Sequence, residues 1–234
     1  MSRIRRFAGS ALRRIVGAAG YELVSEREAR DFVLHDYASY EDYRDTQIRH
    51  NVRKLDNVWA DEATLALMVE TLRAELGTGP LTGLCHGARN GFEQGYLNGL
   101  GEITAIGTDI SPTATDFPDS VQWDFHDRRD EWVGAFDFVY SNSLDQSWNP
   151  RAALVSWLNQ IKSGGCVVIE HTDAHGPRNA SRMDPFGVRP LVMPYVLAEW
   201  FGFAISVRLV KGRKANRDMD VWLFFVRRLV EEVA

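Results

Sequence analysis

Only two cysteines, Cys85 and Cys166, occur in 234 residues, and both fall in apolar runs that read as buried strands. That excludes a disulfide framework, points to a reducing compartment, the cytoplasm, and leaves too few thiols for a zinc ribbon or finger. No run reaches the ~18 to 20 consecutive apolar residues of a membrane span, so no membrane-crossing helix is expected. Glycine and proline, 19 and 8 in number, are near average usage, which excludes collagen-like and low-complexity chains. An excess of positive charge is lacking too. The net charge is -5, which argues against nucleic acid as a partner. Against these absences stand 45% hydrophobic and 11% aromatic residues, enough to bury a large core and to exclude disorder as a description of the whole chain.

Acidic side chains are missing from residues 1 to 20, which carry Arg3, Arg5, Arg6, Arg13 and Arg14. Ile4, Phe7, Ala8, Ala11, Leu12, Ile15 and Val16 fall on one stripe of a basic amphipathic helix. Such a helix suits an anionic membrane surface, a peripheral contact at the inner face. It suits equally a seat on the protein's own body or on a second subunit of a homodimer. It is no secretory signal, because Arg13 and Arg14 interrupt the apolar segment.

Residues 21 to 38 read as a connector. Ser39, with acids following it, opens a helix over 40 to 57 whose apolar face is Ile48, Val52, Leu55 and Trp59. Tyr43, Gln47, His50 and Lys54 line another side of it, as a solvated face or as a wall of a site. Asp61 caps a second helix with Leu65, Met68, Leu72 and Leu76, ending at Gly77. Residues 1 to 79 are thus a helical N-terminal extension. From residue 80 the rhythm becomes βαβ, with strands expected at 81–86, 102–109, 120–125, 136–141 and 166–171 and helices at 91–99, 128–134, 149–162 and 193–202. Ala204 to Val210 and Val221 to Arg227 leave no room for a helix between them and must pair antiparallel. The fold class is therefore α/β: five parallel strands plus a C-terminal hairpin, helices on both faces. The segment 172–192 has no periodicity and suits a lid or acceptor-binding loop.

The first strand runs into Cys85-His86-Gly87-Ala88-Arg89-Asn90-Gly91 before a helix opening Phe92-Glu93-Gln94. Glycines at such a turn let backbone approach a ligand, and the helix start offers unpaired N–H groups to an anion. Eighteen residues past Gly91, Asp109 ends the second strand, where a carboxylate can accept both hydroxyls of a ribose. A glycine turn with a distal acid indicates a nucleoside-containing cofactor. His171, Asp173 and His175 follow the fifth strand at the carboxyl edge of the sheet. His171 is the candidate base, and no metal site is expected there.

With these residues, and with Phe136 to Ser143 and Ile161-Lys162-Ser163-Gly164-Gly165-Cys166, residues 80 to 234 resemble the Rossmann-like (class I) S-adenosylmethionine-dependent methyltransferases. Gly87 and Gly91 match the first and third glycines of that family's opening motif. Cys85 stands where its acid is usual and Arg89 where its middle glycine is. The resemblance implies S-adenosylmethionine as cofactor, contacted by Gly87, Arg89, Gly91, Asp109, Ile110, Asp124, Phe125 and Asn142. It places Asp145 beside His171 as a candidate catalytic group, in a Ser-Leu-Asp-Gln segment where many members carry histidine in place of Gln146. The expected activity is O- or N-methylation of a small-molecule, sugar or lipid-linked acceptor. A non-catalytic binding protein is the alternative reading. A nicotinamide-dependent oxidoreductase is disfavoured because G-x-G-x-x-G is absent.

Overall fold

The computed structural model describes residue 12 and residues 14 to 234. Arg3, Arg5, Arg6 and Arg13, and the expected stripe from Ile4 to Ala11, lie outside the described residues. Of the rest of that stripe, Leu12 and Ile15 are exposed. No helix among the described residues is long and apolar enough to cross a membrane.

Two long helices among the described residues precede the main sheet, after the short helix Glu26–Ala29. The first, α1 (Tyr40–Arg53), starts where Ser39 accepts a hydrogen bond from the Asp42 amide at 3.2 Å. It stops at Arg53 rather than 57. The second, α2 (Glu62–Leu76), is capped by Asp61, which accepts from the Thr64 amide at 2.9 Å. Then come β2 (Leu81–His86), α3 (Phe92–Gly99), β3 (Ile103–Asp109), β4 (Ser120–Gln122) and β5 (Phe136–Ser141). After α4 (Pro150–Gln160), with Asn149 as its cap, follow β6 (Ile161–His171), α5 (Met193–Phe201), β8 (Ile205–Arg213) and β9 (Asp220–Arg228).

The seven strands lie in the order β4-β3-β2-β5-β6-β9-β8. The first five run parallel, while β9 pairs antiparallel with both β6 and β8. Strand alternation sends Phe138, Tyr140, Cys166 and Val168 to a core shared with α2 and α3, and Val139, Val167 and Ile169 to one shared with α4 and α5. Helices thus cover both faces.

Beyond the end of α1, four expectations need correction. The third strand stops at Gln122, since Asp124 makes a turn by accepting the His126 amide. The helix expected at 128–134 is a single 3₁₀ turn, Asp130–Trp132. The fifth strand starts at Ile161, the glycine pair forming an irregularity inside it: partners jump from Phe136↔Ile161 to Phe138↔Cys166. Finally, the connector and the long loop are not wholly irregular. They supply β1 (Phe32–Leu34) and β7 (Phe186–Val188), a two-stranded antiparallel sheet of their own. Three-residue strands are too short to leave a periodic signal.

Candidate functional site

The site lies at the carboxyl ends of the parallel strands, where open α/β sheets bind ligands. It has a closed niche and an open cavity, and Gly87 and Gln146 line both. Gly87 follows β2 with a left-handed φ of 72°, and a Cβ there would come within 2.6 Å of Ser143. Only glycine gives this turn its path.

The niche collects Asp109, Ile110, Asp124 and Phe125 beneath Tyr43, Gln47 and Asn51 of α1. Asp109 ends β3, is buried, and accepts the Ser111 amide at 2.8 Å. Burial raises its carboxyl, opposed by the Ser111 amide and the Arg89 charge. Asp124 accepts from Tyr40 Oη at 2.8 Å, and its other oxygen lies 2.6 Å from His126 Nδ1. Burial alone would raise the Asp124 carboxyl, but His126 and Tyr40 outweigh it and hold it below the ordinary range. Gly91 is the N-cap of α3, one turn on from Gly87.

Of the two readings of the Tyr43, Gln47, His50 and Lys54 side of α1, the wall of a site is the one found. Its polar side is the buried one: Tyr43, Gln47, His50 and Asn51 face inward, while Val52 of the expected apolar stripe is 52% exposed. Gln47 donates to the Met183 carbonyl at 3.2 Å, and Arg182 pairs with Asp42 at 2.5 Å, so the helix is tied to the segment leading into β7.

The open cavity, about 610 Å³, is lined mostly by charged and polar side chains, with Val58, Trp59 and Ala174 among them. Asp145 and His175 lie at its floor, with His175 Nε2 3.8 Å from Asp145 Oδ2. Asp145 Oδ1 is buried and has no hydrogen-bond partner among the described residues. Burial pushes the Asp145 carboxyl up to about 7 and the His175 imidazole down to about 3. The pair is therefore a neutral imidazole beside a carboxyl poised at neutrality. Asp184 lines the same cavity, raised to about 6 by burial and by Asp145. Asn142 lies at the turn after β5, its Nδ2 donating to Glu93 at 2.9 Å. Arg89 also lines the cavity.

His171 is where sequence reasoning fails. It is 1% exposed in β6, lines neither niche nor cavity, and its Nε2 lies 2.8 Å from the Val188 carbonyl. Burial pushes its pKa down to about 3. The geometry ties β7 to the main sheet and gives His171 no path to a ligand. Glu93 was missed, although an acid in the first turn after a glycine-rich bend was a legible signal. No cluster of three or more His, Cys, Asp or Glu able to hold a metal occurs among the described residues.

No protein-family model matches the chain, and no curated protein matches it in sequence. Solved structures do match in shape. The Burkholderia thailandensis 1,6-didemethyltoxoflavin-N1-methyltransferase, bound to its namesake compound and S-adenosylhomocysteine, superposes with a TM-score of 0.63 at 14% identity over 88% of this chain and 98% of that one. The plantazolicin methyltransferase BamL, in complex with a desmethyl analogue and S-adenosylhomocysteine, gives 0.59 at 10% identity over 79% and 96%. A Rhodobacter sphaeroides chain described as a Zn-dependent alcohol dehydrogenase gives 0.52 at 14% identity over 72% and 89%. The chain has the Rossmann-like class I methyltransferase fold.

Proposed function

We propose that this chain is an enzyme that transfers a methyl group from S-adenosylmethionine to an oxygen or nitrogen of a small polar acceptor. The observation that carries this reading is the shared turn at Gly87. It separates a niche with a strand-end acid, Asp109, from a polar cavity with an unpartnered carboxylate oxygen, on Asp145. The residues suit the cofactor: Gly87 lets the chain turn tightly past Ser143 where niche and cavity meet, and Asp109 offers a buried carboxylate for ribose hydroxyls. When bound, S-adenosylmethionine supplies an electrophilic methyl group. The protein's part is alignment, exclusion of water and removal of a proton where the acceptor carries one. Asp145 is the group placed to take that proton, in place of His171, since its carboxyl titrates near neutrality and it lines the acceptor cavity. The cavity's polar lining favours a small-molecule acceptor, as does the toxoflavin precursor named for the Burkholderia enzyme. Sugar and lipid-linked acceptors belong in the same screen.

Calorimetric titration with S-adenosylmethionine and S-adenosylhomocysteine tests the reading, with NADH as the control ligand. Micromolar binding is expected, weakened by ~1–3 kcal/mol in Asp109→Ala through loss of charge-assisted hydrogen bonds. Absence of binding to either sulfur nucleoside would return the chain to the non-catalytic reading. Tighter binding of NADH would return it to the oxidoreductases.

A further inference from the structure

The two departures of the glycine turn meet in one place. Cys85, standing where an acid is usual, is fully buried in β2 and lines neither niche nor cavity. Its thiol is pushed well up by burial, with the nearby Glu93 charge adding to the effect. It offers a ligand nothing. Eight residues on, Glu93 lies in the first turn of α3, buried, and lines the open cavity with Gly87 and Asn142. Asn142 secures one of its oxygens at 2.9 Å. Arg89 holds a left-handed φ of 27°, a conformation that a non-glycine side chain adopts only under strain. Its Nη1 donates to the Asn57 carbonyl at 3.1 Å, and its Nε is buried without a partner among the described residues. Arg89 is close enough to oppose the burial-driven rise of the Glu93 carboxyl.

An acid and an arginine lining one cavity just past the nucleoside niche match the two charges of an α-amino acid. We infer that Glu93 and Arg89 form a clamp for the zwitterionic methionine end of the cofactor, Glu93 taking the ammonium and Arg89 the carboxylate. The acid absent from the end of β2 is thereby supplied from the following helix. This inference rests on the methyltransferase reading. Charge-assisted pairs in a partly desolvated cavity are strong enough to register in affinity, and the arginine fork suits a carboxylate.

The experiment compares two ligands that share the thioadenosine but differ in the amino acid: S-adenosylhomocysteine and 5′-methylthioadenosine, titrated into the parent protein, Glu93→Gln and Arg89→Met. The expected result is at least a tenfold loss of S-adenosylhomocysteine affinity in each variant, with methylthioadenosine binding kept within twofold. Retained methylthioadenosine binding also shows that the variants fold. A variant that binds S-adenosylhomocysteine within twofold of the parent overturns its residue's place in the clamp, and equal loss of both ligands overturns it as well. A parent protein that binds both nucleosides equally tightly overturns the clamp while leaving the methyltransferase reading standing. A parent that binds neither overturns both.

Discussion

Asp145 shows how one residue's surroundings set both chemistry and stability. Folding lifts its carboxyl from an unfolded value near ~3.9 to about 7, so ionisation opposes the folded state. Its contribution to stability is fully present below pH ~4 and is lost as pH rises through about 7. Asp145→Asn is therefore expected to be more stable than the parent at pH 8, by about 2–4 kcal/mol, and equal to it near pH 4. Urea unfolding at the two pH values measures this. In turnover, the parent's kcat/KM is expected to climb with pH through about 7, and the variant to lose ~10²–10⁴-fold with a flattened profile. Much at this scale was legible. Gly87 and Asp109 could be set at the carboxyl edge of the sheet because glycine turns and strand-end acids have fixed positions in a βαβ unit, whereas Asp145 was reached only through the family resemblance. The role of His171 could not be read, because a histidine at a strand's carboxyl end reads the same whether it faces a cavity or hydrogen-bonds a carbonyl, as this one does to Val188.

Among the elements, the strands of the main sheet were legible from their β-branched and aromatic runs, and the helix starts from Ser39, Asp61 and Asn149. The face that α1 presents inward was legible only as one of two alternatives. Tyr43, Gln47 and Asn51 are buried against the polar niche and His50 against the open cavity, so an apolar stripe is a poor guide where the interior itself is polar. The small sheet of β1 and β7 was hidden. Its centre is Gly187, paired with Val33, where an added Cβ would lie 2.8 Å from the Gly176 carbonyl oxygen and 2.9 Å from Ala180. Gly187→Val is expected to cost about 1–3 kcal/mol by overpacking. It should raise hydrogen exchange in β1 and β7 while leaving β2 and β5 protected. Unchanged exchange in β1 would show that the two strands are not coupled.

Across the whole molecule, the hairpin loop is anchored by a buried cation. Lys214, 2% exposed, lies 2.7 Å from Glu170 of β6 and 3.0 Å from the α2 cap Asp61. Tyr140 Oη donates to the same Glu170 at 2.6 Å. The loop's other basic residues are also engaged within the chain, with Lys211 paired to Asp220 at 2.7 Å and Arg217 over the Trp59 ring. Removing the ammonium leaves two buried carboxylates uncompensated, so Lys214→Met is expected to lower unfolding free energy by about 3–5 kcal/mol. Lys214→Met with Glu170→Leu is expected to recover part of that loss, as read from denaturant midpoints. Nothing local in the sequence marks Lys214 as buried, because its partner on β6 lies 44 residues away.

The strand order has a consequence for synthesis. The last strand of the hairpin, β9, lies between β6 and β8 rather than at the rim. During translation β6 therefore leaves the ribosome with its outer backbone edge open. It stays so until residue 228 has emerged, because β8 can only dock through β9. A nascent chain halted before Asp220 exposes the Val167 to Ile169 edge to any neighbouring strand, and this is the stage at which the protein has most need of a chaperone.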